Sequence, residues 1–327
     1  MIQFDPPEFK SHRLIRGGHL QTVFSVGRTE RPPERSVAHV VELPDQDAIV
    51  LHEDCAERWT TGDPSILLVH GLSGCHAAPY MIRLANGFLK RGYRVFRMDM
   101  RGCGAAWGLA RQLSHAGRSD DLIAGLDRVA QQAHSGPIYA IGVSLGANQL
   151  LRAVGRIGAG LDRQPDWFDR LERIAAVAPP LDLQRCSDNM QRLSRRAYNY
   201  YFIRQLLNRV PKRVREREDC QRILSAARPK TLRQLDDRMT APLSGFADAA
   251  EYYDFASACK VIQDNPVPTL LIAAADDPIV PIDCFTDRAA TLPPTTKLLV
   301  AGGGGHNGFI GPRKESWIDD VMLRWFD

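Results

Sequence analysis

The sequence predicts an α/β fold, a mostly parallel central sheet flanked by helices and carrying one helical insertion. Three observations carry that reading. Short apolar runs bounded by turn residues recur with helical patterns between them, the alternation of a parallel sheet covered on both faces. Most of these runs are rich in Val, Ile and Leu, as strands buried on both sides are. The alternation then stops between Pro179 and about Cys259, where a long polar segment of helical pattern takes over.

Taken in order, residues 39–43 and 48–52 flank Pro44-Asp45-Gln46-Asp47 and read as an antiparallel hairpin. Residues 66–70 and 93–98 read as parallel strands. The helix expected between them, 79–90, places Met81, Leu84, Phe88 and Leu89 on one side. A helix over 120–132, with Leu122, Leu126 and Val129 on one face, precedes a strand at 138–143, and a helix at 144–154 follows that strand directly. Strands at 174–178, 269–274 and 296–301 complete the sheet. The expected division is a core of residues 1–178 and 260–327 with a helical cap or lid insertion at 179–259. The densest apolar content of the insertion is Tyr198, Tyr200, Tyr201, Phe202, Leu206 and Leu207.

Composition excludes several classes. Of 327 residues, 44% are hydrophobic and 24% charged, near average for a globular protein, so disorder and fibre are out. The formal charge of +4, from 42 Lys and Arg against 38 Asp and Glu, is too small to imply nucleic-acid binding. The longest apolar runs, 269–275 and 174–181, fall short of the ~18 residues that span a bilayer, so no transmembrane anchor is expected. Asp5, Pro6, Pro7 and Glu8 stand where a signal peptide would carry its basic and apolar regions. Seven cysteines, an odd number without a C-x-x-C pair, suit a reduced, cytoplasmic protein in which each is a small buried hydrophobe. No G-x-G-x-x-G follows a strand, and there is no Walker loop, H-E-x-x-H or clustered ligand set, so no cofactor and no metal are expected. From Leu181 to Leu235 there are 14 Lys or Arg against 5 Asp or Glu. That excess reads as a solvated helical face; the alternative is a cap that attracts anionic substrates or makes peripheral contact with a membrane.

Chemistry concentrates at Gly142-Val143-Ser144-Leu145-Gly146, a G-x-S-x-G match closing one expected strand and opening a helix, the context of a nucleophile elbow. A serine hydroxyl is a poor nucleophile at neutral pH, so it needs a base, and the base an orienting carboxylate. Downstream of Ser144 the chain holds a single histidine, His306, in Gly302-Gly303-Gly304-Gly305-His306-Asn307-Gly308. The carboxylate is sought after the strand at 269–274, where Asp276 and Asp277 compete. Oxyanion donors are expected from the backbone N–H of Leu145 and, in His70-Gly71-Leu72-Ser73-Gly74, that of Leu72. His70 reads as a structural residue fixing that loop. Arg101 and the glycines of Asp99-Met100-Arg101-Gly102-Cys103-Gly104 are expected at the pocket floor, and Cys103, with no base nearby in sequence, is not read as a nucleophile.

In this order the residues resemble the α/β-hydrolase superfamily, and closer features resemble its YheT-like branch, the AB-hydrolase 4 family, related to the ABHD proteins. The likeness rests on Gly18-His19-Leu20-Gln21-Thr22, His70-Gly71-Leu72-Ser73-Gly74, Arg101-Gly102-Cys103-Gly104, Gly142-Val143-Ser144-Leu145-Gly146-Ala147-Asn148, Tyr252-Tyr253, Asp276-Asp277-Pro278 and Gly305-His306-Asn307-Gly308-Phe309. It implies an α/β-hydrolase fold and a carboxylic-ester hydrolase whose Ser, Asp and His fall on Ser144, Asp277 and His306. In such folds the acid stands near an apolar pair like Ile279-Val280, which favours Asp277 and leaves Asp276 to form the turn or cap a helix. The expected substrate is a small lipophilic ester of short to medium acyl chain, cleaved through an acyl-enzyme. The alternatives are thioester cleavage or acyl transfer by the same triad, or a non-catalytic ligand-binding protein on the same scaffold.

Overall fold

The structure, a computed structural model, describes residues 4–25 and 30–327. Eight strands among these residues form one sheet: β1 (Val37–Glu42), β2 (Ala48–Cys55), β3 (Ser65–Val69), β4 (Arg94–Asp99), β5 (Ile138–Val143), β6 (Leu171–Val177), β7 (Thr269–Ala274) and β8 (Thr296–Ala301). Their order is β1-β2-β4-β3-β5-β6-β7-β8. β2 runs antiparallel to β1 and β4, and every other pairing is parallel.

Among the described residues thirteen α-helical segments accompany it: α1 (Gly18–Phe24), α2 (Pro79–Lys90), α3 (Ser119–Gln132), α4 (Leu145–Gly158), α5 (Leu183–Met190), α6 (Arg196–Asn208), α7 (Lys212–Arg215), α8 (Glu218–Ser225), α9 (Leu232–Leu235), α10 (Ala241–Leu243), α11 (Ala249–Ala256), α12 (Asp283–Thr286) and α13 (Trp317–Trp325). Successive strand residues point to opposite faces, and the core divides accordingly. Leu67 and Val69 pack with Leu122 and Leu126 of α3 and Leu150 and Val154 of α4. Ile66 and Leu68 pack on the other face with Met81 and Phe88 of α2 and Val321 and Trp325 of α13. Helices α5 to α11 all fall between β6 and β7, and most of their buried apolar residues belong to two smaller clusters, while Cys186 of α5 joins the sheet's own core.

β2 extends to Cys55, three residues beyond the expected end, through Glu53 and Asp54. Both are buried, as is His52 before them, because β4 answers each across the sheet. Arg97 Nε donates to Asp54 at 2.8 Å, Arg94 Nε to Glu53 at 2.6 Å, and His52 Nε2 lies 3.0 Å from Asp99.

A second correction concerns Arg101. Its guanidinium is absent from the wall of the large cavity described below and is buried in a carboxylate cage, bidentate to Asp121 at 2.9 and 2.7 Å and 2.6 and 3.2 Å from Asp45 and Asp47. Asp47 in turn accepts the N–H groups of Arg111 and Gln112. The cage therefore ties the β1–β2 turn to α3 and to the loop after the short turn that follows β4. Removing one partner strands the others as buried charges. Arg101→Met is expected to lower stability by about 3–5 kcal/mol in urea denaturation.

Candidate active site

Ser144 sits between β5 and α4 at φ 52°, ψ −116°, a conformation side chains rarely adopt. Its N–H donates to the Val177 carbonyl at 2.8 Å, and its own carbonyl accepts from Ala147 and Asn148 at 3.0 and 3.1 Å, so strand and helix both grip it. The flanking glycines are sterically required. A Cβ on Gly142 would stand 2.5 Å from Ala147, and one on Gly146 would stand 2.5 Å from the His70 carbonyl oxygen.

The Ser144 hydroxyl meets His306 Nε2 at 2.8 Å, and His306 Nδ1 meets Asp277 Oδ2 at 2.8 Å. Both partners are sequestered, with His306 10% and Asp277 2% exposed. The other Asp277 oxygen accepts the N–H groups of Ile279 and Val280 at 2.7 and 3.0 Å, which fixes the carboxylate plane. Asp276 points elsewhere and accepts the Gly305 N–H at 2.8 Å, holding the loop that carries the histidine.

The rest of that loop is held by α1. Thr22 Oγ1 accepts the His306 N–H at 2.8 Å while donating to the Gly18 carbonyl at 2.6 Å. Gln21 is fully buried; its Oε1 accepts the Ile310 N–H at 2.7 Å and its Nε2 donates to the Ile15 carbonyl at 2.6 Å. The contact is backbone on backbone: a Cβ on Gly18 would fall 1.8 Å from the Asp276 carbonyl oxygen. Gly18-His19-Leu20-Gln21-Thr22 was visible in sequence as a block of resemblance. Its support of the histidine loop was not, because 284 residues separate Thr22 from His306.

Leu72 and Leu145 both line the cavity that contains Ser144 and His306, and among the described residues neither N–H has a protein acceptor. Leu145 opens α4, where an N–H without a helical partner is the rule and the helix dipole favours negative charge. The Leu72 loop is braced from behind. His70 is fully buried, its Nδ1 2.8 Å from the Gly71 carbonyl and its Nε2 accepting the Met100 N–H at 3.3 Å, a pattern for the neutral ring, and burial lowers its pKa accordingly. Tyr80 accepts the Gly71 N–H at 2.9 Å. The cavity has a volume of about 940 Å³, and its walls include Leu183, Met190, Tyr198, Tyr201, Phe202 and Leu206 from the segment between β6 and β7.

The sequence pattern of the alpha/beta hydrolase fold matches residues 64–312, well over half of the chain. The chain belongs to this family. It is similar to the Escherichia coli (strain K12) protein named "Putative esterase YheT", 28% identical over 97% of this chain and 92% of that one. It is similar also to mouse phospholipase ABHD3, 28% identical over 80% of this chain and 63% of that one. Among solved structures, the Pyrococcus furiosus esterase Pf2001 matches with a TM-score of 0.57 at 16% identity, covering 90% of this chain and 93% of that one. The resemblance to the YheT-like branch of the alpha/beta hydrolases thus holds. The helix α1 lies outside the matched span, although it grips the histidine loop.

Two other groups near the site have their own chemistry. Burial pushes the Cys103 thiol up to about 12, so it carries no thiolate at neutral pH. His52, His76 and Asp99 gather metal-ligand atoms within 4.8 Å of one another. The two imidazoles stack at 3.4 Å with planes 17° apart, and each turns a ring nitrogen onto the carboxylate. Both rings contact Asp99 Oδ2, and its other oxygen accepts the His76 N–H at 2.6 Å. Burial would raise the Asp99 carboxyl, but these hydrogen bonds hold it well below the usual carboxylate range. The cluster is a brace for the end of the loop that carries Leu72.

Two outcomes are expected. Thr22→Val removes the acceptor of the His306 N–H and slows labelling of Ser144 by a fluorophosphonate about tenfold or more, whereas Thr22→Ser keeps the rate. Asp236, in the cavity wall, has its carboxyl raised by burial to about 6, against hydrogen bonds from Tyr253 and Thr240. The folded chain then holds this proton up to about pH 6, while the unfolded chain releases it near its ordinary value of 3.8. Between those values the folded state binds more protons, so this group's contribution to stability falls as pH rises. In urea denaturation Asp236→Asn should gain stability relative to wild type from pH 4 to pH 6 and no further above it.

Proposed function

We propose that the chain is a carboxylic-ester hydrolase working through an acyl-enzyme on Ser144. One observation carries this reading: Ser144, His306 and Asp277 are hydrogen-bonded in series at 2.8 Å each, beside two N–H groups without protein acceptors. The relatives named as an esterase and a phospholipase support it.

In this reading Ser144 Oγ attacks the ester carbonyl carbon as its proton passes to His306 Nε2. Asp277 accepts the Nδ1–H, which fixes the tautomer that presents a basic Nε2 to the serine and stabilises the imidazolium that forms. The N–H groups of Leu72 and Leu145 take the negative charge that develops on the carbonyl oxygen. His306 then protonates the departing alkoxide, leaving an ester on Ser144. Water attacks that ester with His306 again as base, releasing the acid and restoring the hydroxyl. Thioester cleavage and acyl transfer run through the same intermediate, differing only in the leaving group or in the acceptor that replaces water.

An apolar-walled cavity of about 940 Å³ suits a lipophilic ester of short to medium acyl chain. We read residues 179–259 as the cap over it, since α5 and α6 supply much of its wall. Seven free cysteines support a reduced, cytoplasmic setting. Among the described residues no helix is long and apolar enough to cross a membrane.

Turnover of p-nitrophenyl esters of increasing chain length tests the reading. Ser144→Ala is expected to stay folded and lose activity by roughly 10³-fold or more, together with fluorophosphonate labelling. Near-wild-type turnover by that variant would sink the assignment. Asp277→Asn is expected to lower kcat by about 10⁴-fold and Asp276→Asn by about tenfold, and the reverse order would exchange their roles.

A further inference from the structure

We propose that the mouth of the cavity is a docking surface for an anionic lipid bilayer. The rim is built from α1 and the start of α6. One side of α1 is spent on the histidine loop through Gly18, Gln21 and Thr22; the other leaves Leu20 44%, Val23 60% and Phe24 54% exposed, at the i, i+3, i+4 spacing of a single stripe. Across the mouth, Leu193, Tyr200 and Tyr201 are 73%, 61% and 49% exposed. Val23 and Tyr201 both line the cavity, so each apolar set reaches it through one member. His19 ties them together, 3.0 Å from the Tyr198 hydroxyl through one ring nitrogen and 3.0 Å from Arg195 through the other.

Charge decides the occupant. From Arg192 to Arg217 the chain has nine Lys or Arg and one acidic residue, Glu216. Arg192, Arg196 and Arg204 are exposed, and among the described residues no carboxylate lies within 4.0 Å of any of them. Apolar and aromatic side chains beside unneutralised guanidinium groups match the boundary of an anionic bilayer, where the apolar groups enter the acyl region and the arginines meet lipid phosphates. A second copy of this chain is a poorer match, because a two-fold contact through this face would set the arginine belt against itself. The proposal rests on the esterase reading only in that a membrane-borne ester would pass its acyl chain inward from the rim.

Co-sedimentation with phosphatidylcholine vesicles, with and without phosphatidylglycerol, tests it on the Ser144→Ala chain, which binds without turning over. Binding is expected only with phosphatidylglycerol and should weaken steeply as salt shortens the Debye length from about 10 Å at 0.1 M to about 3 Å at 1 M. Arg192→Glu, Arg196→Glu and Arg204→Glu together should lower partitioning at least about tenfold, and Phe24→Ser with Leu193→Ser should do the same. In an otherwise wild-type chain these variants should hydrolyse soluble p-nitrophenyl butyrate unchanged, which shows them folded. Failure to bind anionic vesicles at low salt, or equal binding by the variants, overturns the proposal. Concentration-dependent self-association through this face without vesicle binding assigns it to a second copy and overturns it as well. Loss of fluorophosphonate labelling in the wild type would instead count against the esterase reading, and vesicle binding would stand apart from it.

Discussion

The site depends on one constraint: Ser144 must hold a positive φ at the point where β5 becomes α4. Such a backbone costs of order 1–3 kcal/mol and persists only where its surroundings leave no alternative. Here the surroundings are close contacts that two glycines permit, with Gly142 against Ala147 and Gly146 against the carbonyl of His70. Those contacts also set the site's geometry. The second brings α4 beside the loop that carries Leu72, so one packing contact lifts the hydroxyl and brings two backbone N–H groups to the same cavity.

Around that fixed point the remaining groups are positioned by polar bonds rather than by apolar packing. The histidine arrives on a loop, and loops are mobile unless tied down. Asp276 and Thr22 tie it, on its Gly305 and His306 N–H groups respectively. Adjacent aspartates thus divide the labour: Asp276 holds the loop and Asp277 meets the ring. The helix α1 is two-sided in the same sense, its buried polar side gripping the loop and its apolar side left outward at the cavity mouth.

Buried charge shapes the sheet's edge. Glu53, Asp54, Asp99 and Asp47 lie in strands or turns with Arg94, Arg97, Arg101 and two histidines as partners. Arg97 also donates to the His76 carbonyl at 2.9 Å, so the network reaches the end of the loop that bears Leu72. Separating any partner would leave an ion in a dry interior, which makes the loop's footing rigid.

Much of this was legible in one dimension. The parallel strands show as apolar runs because both their faces are covered, and the elbow shows because only glycine permits its contacts. His306 stood out as the single histidine after Ser144. Those features are local, and local chemistry is written in neighbouring residues. Three others were not legible. β2 runs on through Glu53 and Asp54 because Arg94 and Arg97 of β4 neutralise them across the sheet, and no local pattern shows those partners. Arg101 was set at a pocket floor because the sequence does not reveal the three carboxylates around it. The grip of α1 on the histidine loop joins residues nearly the whole chain apart, and no periodicity encodes such a contact. The sequence by itself determined which groups could react and on which elements they lie; the tertiary structure alone decided which charges neutralise one another and what grips the histidine loop. The physical reason is that both are settled by distances across the fold, and sequence spacing does not set those.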